Sequence, residues 1–277
     1  LRDFSINAVQ ENYLGDRDRA MHWMRDWMDK NPVGADVAWD AYTVSERLIN
    51  WAFAIVVFDL READILIAYA RQAQWLTRWL EYDLRANHLL KNAAALSVAA
   101  AIMSDSALAT TARGLLERQL REQILEDGGH YERSPLYHAQ ALWDLLVVYA
   151  VFGETLPILV ASIARMTRFL EHIRHPDGDI PLFGDAALRA APSPGALTGL
   201  ARSSLPASAF AEPADGLVHD GAALRASGFY VVGDAAKERR MLVKTSPPAP
   251  DWQPGHSHAD MLSYELCVGQ RRLIVDS

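Results

Sequence analysis

The densest set of chemically capable side chains lies in Gly255-His256-Ser257-His258-Ala259-Asp260, directly ahead of the strand-like run Met261-Leu262-Ser263-Tyr264-Glu265-Leu266. Side chains alternate in an extended segment, so the spacing predicts His256, His258 and Asp260 on one face, with Ser257 and Ala259 on the other. Two imidazoles and a carboxylate on one face are the material of an acid-base or metal-binding site at a sheet edge. A turn whose histidines bond to nearby backbone satisfies the same pattern, and short metal-like motifs recur by chance.

Composition limits what such a site can serve. The chain has 277 residues, half of them hydrophobic, enough for a large core and near the size at which one core gives way to two domains. A formal charge of -8 argues against a nucleic-acid binder, which needs a basic stripe to neutralise phosphates. An anionic substrate stays compatible, because a local basic cleft can sit on an acidic protein. Cys267 is the single cysteine, which excludes an internal disulfide framework and a cysteine-rich zinc module, and its apolar surroundings predict a small buried hydrophobe. No apolar run approaches the ~20 residues that cross a bilayer, and residue 1 begins without the charged and apolar regions of an export signal.

Positioning falls first to helices. Arg17 to Asp29 sets Met21, Met24 and Met28 at helical spacing; Val44 to Arg61 carries Leu48, Trp51, Ala52, Ile55 and Phe58; Ile65 to Tyr82 continues with Leu66, Ala70, Ala73, Leu76 and Leu80. Leu89 to Met103 is apolar nearly all round, as a buried inner helix is, while Leu108 to Ile124 is charged on one face, as an outer one is. Tyr137 to Gly153 and Ile158 to Ile173 add another pair. Inner and outer helices in alternation predict hairpins wound into a barrel or toroid over residues 1–190.

The grammar then changes. Residues 191–216 are rich in Ala, Pro, Ser and Gly and read as a linker or long loop. Short β-type runs follow at 228–232, 240–244, 262–268 and 271–275, the last two joined by a tight Gly269-Gln270 hairpin. Residues 217–277 thus read as the start of an antiparallel sandwich. So few strands leave an edge and an apolar face uncovered, so the expectation is that the natural protein continues and that this piece alone is poorly soluble or inactive.

An ordered set of motifs runs through these elements: Trp39-Asp40-Ala41-Tyr42-Thr43-Val44-Ser45-Glu46-Arg47-Leu48-Ile49-Asn50-Trp51, then Asn87-His88, Asp127-Gly128-Gly129-His130-Tyr131-Glu132-Arg133-Ser134-Pro135-Leu136-Tyr137-His138, Pro181-Leu182-Phe183-Gly184-Asp185, and the segment 255–260. Together they resemble the heparinase II/III-like polysaccharide lyases. The resemblance implies an α+β multidomain fold, an incomplete (α/α) toroid followed by an antiparallel β-sandwich that is truncated here. It also implies eliminative cleavage of a uronic-acid-containing glycan, an anionic polysaccharide partner, and a periplasmic or secreted location. Heparan-type glycosaminoglycan, alginate and bacterial exopolysaccharide all fit.

Elimination removes the weakly acidic C5 proton beside a uronate carboxylate and expels the oxygen on C4. Donors must therefore stabilise charge that builds on the carboxylate, and a base and an acid must handle the protons. By resemblance, Asn87 supplies the amide donor with His88 or His256 beside it, and Tyr137 is the base and acid, its phenol tuned down from about 10 by cationic neighbours. On spacing alone Asn87 reads as a helix cap, His88 as a helix-end histidine and Tyr137 as a buried aromatic. Tyr131 rivals Tyr137, while Glu132 and His138 are candidates to bind substrate or to orient the tyrosine. Arg47 and Arg85 are candidate clamps for a uronate or sulfate, or partners of neighbouring acids. Asp185 is placed near the cleft as an anchor for Asn87 or an arginine. No cofactor is required for the chemistry. A structural zinc is implied at His258 and Asp276, which match two of the ligands that some relatives use; a third would have to lie elsewhere.

Two other functions remain open. A noncatalytic glycan-binding module would keep this scaffold without the chemistry. A glycoside hydrolase on an (α/α) toroid would use paired carboxylates, for which Asp127 and Glu132 are the tempting pair.

Overall fold

A computed structural model describes residues 13–211, 221–234, 238–247 and 258–276. The helices are α1 (Tyr13–Lys30), α2 (Ala41–Val57), α3 (Ala63–Arg78), α4 (Ala86–Met103), α5 (Ser106–Gln123), α6 (Pro135–Phe152), α7 (Pro157–Ile173) and α8 (Pro194–Ser204), followed by strands β1 (Gly221–Leu224), β2 (Phe229–Asp234), β3 (Arg239–Lys244), β4 (Tyr264–Val268) and β5 (Arg271–Ile274). The chain forms two compact units, one of residues 1–116 with 150–152 and one of residues 117–149 with 153–277.

In the first unit α2, α3 and α4 pack on one another, and α4 is the inner helix that its composition predicts. Leu89, Leu90, Ala95 and Ala99 on different sides of α4 are each 3 % exposed or less. Trp27, Trp39, Trp75 and Trp79 form a chain of ring contacts with centroids 5.4 to 5.8 Å apart, and Trp51 meets Trp27 edge-on at 5.7 Å. Trp23 and Trp79 are nevertheless exposed.

In the second unit α7 packs against α8 and β2. The sheet is antiparallel throughout in the order β1-β2-β3-β4-β5, so every strand pairs with its sequence neighbour. Gly269 holds φ +56° in the predicted β4–β5 hairpin, and Phe229 on β2 meets Phe169 of α7 and Phe183 at 5.8 Å centroid distance.

Three expectations change here. The segment read as a linker contains α8: Ser193 accepts from Ala196 N at 3.3 Å as its N-cap, Pro194 sits at the first helical position, and Leu197 and Ala201 are buried. Strand β1, Gly-Ala-Ala-Leu, was not foreseen, since small side chains carry little β-preference. And Pro135–Thr155, 21 residues, is long and apolar enough to cross a membrane by length and composition. It is apolar because it is an inner helix, with Leu142, Leu145, Leu146 and Val148 all fully buried.

Candidate functional site

Within the first unit, Asn87 and His88 lie in the first turn of α4, behind two residues with unfavourable backbone. Arg85 has φ 59° and Ala86 φ 50°. Non-glycine residues there cost about 1–3 kcal/mol each, and persist only where the surroundings over-determine them. The Arg85 amide donates to Glu81 O at 2.7 Å, which draws the preceding turn tight. Asn87 is 8 % exposed and sits inside the helix, so it is not the cap that its spacing allows. Arg85 itself is exposed.

His88 is held from two sides. Its Nδ1 lies 2.9 Å from Glu81 Oε1, and its ring centroid is 4.7 Å from that of Tyr42. Glu81 is fixed in turn by Asn92, whose Nδ2 donates to Glu81 Oε2 at 2.8 Å and whose Oδ1 accepts from Glu81 N at 3.0 Å. The same Nδ2 also donates to Ser45 Oγ at 3.0 Å, and Ser45 Oγ donates to Ala41 O at 2.8 Å. Asn92 and Ser45 are fully buried, so this polar chain runs into the helical core. The N-terminus of α4 adds the positive end of the helix dipole, which favours an anion.

Arg47 belongs to the aromatic cluster. Its guanidinium stands 3.8 Å from the Trp27 ring centroid, its Nε donates to Gln72 Oε1 at 2.5 Å, and burial pushes its pKa down to about 10. Among the described residues Arg47 forms no ion pair.

Within the second unit, Tyr137 is half-buried in the first turn of α6. The helix is entered through Arg133 at φ 58°, then Ser134 and Pro135 at its first position. Ser134 Oγ donates to Asp185 Oδ1 at 3.0 Å, so Asp185 anchors the start of α6. Beside Asp185, Gly184 N donates to Asp260 Oδ2 at 2.6 Å, and Asp260 pairs with Lys244 Nζ at 2.8 and 2.7 Å. Lys244 and Asp260 are 0 % and 2 % exposed. A second buried set lies alongside: Glu265 takes Leu182 N at 2.7 Å and His175 Nε2 at 2.5 Å, with Cys267 Sγ 3.1 Å from His175 Nδ1. Cys267 is buried as predicted, and burial raises its thiol pKa.

These contacts correct several expectations. Asp260 does not share a face with His258, which is exposed while Asp260 turns inward to Lys244. His256 lies outside the described residues. His138 is 1 % exposed with both nitrogens used, Nε2 donating to Met166 O at 3.0 Å and Nδ1 accepting from His130 N at 3.3 Å. Burial drops its pKa to about 4, so it is a neutral core histidine with no nitrogen left for a glycan. Glu132 is 1 % exposed and equally withdrawn from a ligand. Asp127 accepts from Gly129 N at 3.0 Å and from Ser227 N and Oγ at 2.8 and 2.9 Å, a structural clamp. The Asp127 and Glu132 pair that a hydrolase would use is therefore spent on the fold or buried.

For zinc, the described residues hold no group of three or more His, Cys, Asp or Glu side chains able to bind a metal. His258 and Asp276 alone fall short of the three or four protein ligands that a zinc site needs. Sequence reasoning missed Glu81, Asn92 and Lys244 as positioning groups, since each is polar and unremarkable until the turns bring it to its partner.

The comparisons with known proteins agree with this layout. The family model for the heparinase II/III N-terminus matches residues 11–196, and that for the heparinase II/III-like C-terminal region matches residues 217–277. A heparin-sulfate lyase of Pedobacter heparinus is 26% identical over 204 residues, 65% of this chain and 31% of the relative. One of Bacteroides stercoris is 24% identical over 215 residues, 63% of this chain and 32% of the relative. The chain thus spans about a third of the length of the curated relatives it matches. The crystal structure of heparinase III aligns with a TM-score of 0.76 at 18% identity, covering 95% of this chain and 47% of that one, so helical hairpins followed by an antiparallel sheet are the shared fold.

Proposed function

Since the chain belongs to the heparinase II/III-like family, we propose that it is the part of a polysaccharide lyase that binds a uronic-acid-containing glycan and cleaves it by β-elimination. The observation that carries the reading is the arrangement at the start of α4, where Asn87 and a braced His88 stand behind strained backbone at a helix N-terminus. A uronate carboxylate fits there. Asn87 donates to it, and His88 or His256 adds positive charge as the enolate-like species forms. Tyr137 takes the C5 proton, the C4–O bond breaks as the C4–C5 double bond forms, and the leaving oxygen is protonated by Tyr137 or a histidine. Trp79 and Tyr82, both 58% exposed, are available to stack on sugar rings. A heparan-type glycosaminoglycan is the first substrate to try, because both curated relatives are heparin-sulfate lyases. Such a substrate agrees with a periplasmic or secreted location.

The test is the ultraviolet absorbance of unsaturated uronate during incubation of the full-length protein with heparan sulfate, alginate and bacterial exopolysaccharide. The expected result is a rise on one of them that Tyr137→Phe reduces on the order of 10²–10⁴-fold and His256→Ala also suppresses. Binding of every glycan without any rise would replace the lyase by a noncatalytic glycan-binding module.

A further inference from the structure

We propose that Glu81 is the positioning residue for His88, holding the ring proton on Nδ1 so that Nε2 is the nitrogen through which His88 exchanges a proton at the substrate; the part concerning substrate rests on the lyase reading above. A carboxylate only accepts hydrogen bonds, so at 2.9 Å from Glu81 Oε1 the Nδ1 atom is the donor. Nε2 then has no protein hydrogen-bond partner among the described residues. The ring's side chain is 29% exposed, whereas that of Glu81 is 12% exposed, so the pair presents the imidazole and hides the carboxylate.

An incidental surface ion pair would contribute little and leave both partners free to turn. Glu81 is not free. Its backbone N–H and its second carboxylate oxygen are both taken by Asn92, and the Asn92 amide cannot flip without losing its bonds to Glu81 N and Ser45 Oγ. That fixed amide gives Glu81→Gln a definite consequence. The glutamine oxygen must stay opposite Asn92 Nδ2, which turns its NH₂ toward His88 Nδ1. The ring nitrogen must then accept, and the proton moves to Nε2. The substitution keeps size and hydrogen-bond positions while reversing the tautomer.

The experiment is ¹⁵N NMR of the histidine-labelled protein at about pH 8, above the usual imidazole range, with His88 identified by the signal lost in His88→Gln. The wild type is expected to carry hydrogen on Nδ1 and a bare Nε2, and Glu81→Gln to show the reverse. In the uronate assay Glu81→Gln should lose on the order of 10²–10⁴-fold in kcat, with KM within about threefold, and should melt where the wild type does. Glu81→Asp, which retains the carboxylate, should restore the Nδ1–H tautomer and at least about tenfold of the lost kcat. Hydrogen on Nε2 in the wild type overturns the proposal, and that result does not depend on any variant folding. Reversal of the tautomer with kcat unchanged overturns it as well. If the wild type cleaves no uronic glycan, the lyase reading fails, and the NMR comparison by itself decides whether Glu81 positions His88.

Discussion

The buried pair Lys244 and Asp260 gives the most quantitative test of how the second unit is held. Lys244 Nζ meets both carboxylate oxygens at 2.8 and 2.7 Å, with exposures of 0 % and 2 %. Lys244→Met leaves Asp260 in the interior with only the Gly184 N–H, and stranding one member of such a pair costs about 3–5 kcal/mol. At about 2–4 °C per kcal/mol for a protein of this size, the melting temperature should fall by roughly 6–20 °C. The double variant Lys244→Met with Asp260→Asn removes both charges, while the asparagine oxygen still accepts from Gly184 N. It should recover most of the loss, giving a coupling energy of about 2 kcal/mol or more in a double-mutant cycle. Urea unfolding of the four proteins, followed by tryptophan fluorescence and circular dichroism, supplies the numbers. Two results would refute the reasoning: a Lys244→Met cost below about 1 kcal/mol, the range of exposed pairs, or single costs that simply add. The proposed chemistry would depend on the same contact, because Asp260 holds Gly184 and Asp185 holds Ser134 at the entrance to the helix of Tyr137.

Two further outcomes test the core. His138 has its pKa pushed from the usual 6.5 to about 4 by burial, so between those values the unfolded chain binds a proton that the folded one refuses. Its contribution is fully present above about pH 6.5 and is lost as pH falls toward 4, a loss of about 3 kcal/mol that Tm measured across this window should show and His138→Gln should flatten. Gly128 and Gly178 both have left-handed backbone, at φ +89° and +93°, but a Cβ on Gly128 would lie 2.3 Å from Arg165 O, while one on Gly178 meets nothing within 4 Å. Gly178→Ala should therefore cost about 1 kcal/mol of backbone strain, and Gly128→Ala distinctly more in the same unfolding assay; equal costs would show that the Arg165 contact is relieved by local movement.

Periodicity made the helices legible because each buries one face or, in α4, nearly all of its surface. The same logic failed at α8, where Ser193-Pro194 is a helix-start signal hidden among residues that also make loops, and at β1, whose Gly-Ala-Ala-Leu has no pattern to read. Asn87, His88, Tyr137 and Asp185 stood out by resemblance, whereas Glu81, Asn92 and Lys244 did not. Glu81 reaches His88 only because the chain turns sharply between them through Arg85 and Ala86, and neither residue type announces positive φ. Asp260 was read as one face of an extended segment, but residues 258–263 form no strand, and the burial of Lys244 offered the carboxylate a partner that alternation could not reveal.

The strained positions connect these supports to the proposed chemistry. Arg85 and Ala86 precede Asn87 and His88, and Arg133 precedes Ser134 and the helix of Tyr137, so in each unit the candidate side chains follow directly on backbone that non-glycine residues avoid. Strain of that kind survives only where other contacts hold it in place. In the first unit that hold comes from Arg85 N on Glu81 O and from the Glu81, Asn92 and Ser45 chain; in the second it comes from Asp185 on Ser134 and Asp260 on Gly184. Polar groups, several of them absent from the sequence reading, are thus the ones that maintain the unusual backbone at which the chemically capable residues sit. If the strain served packing alone, Ala86→Gly would relieve it, raising Tm slightly and leaving kcat untouched; if it fixes Asn87 and His88 for catalysis, the same added freedom should lower kcat even as the protein gains stability.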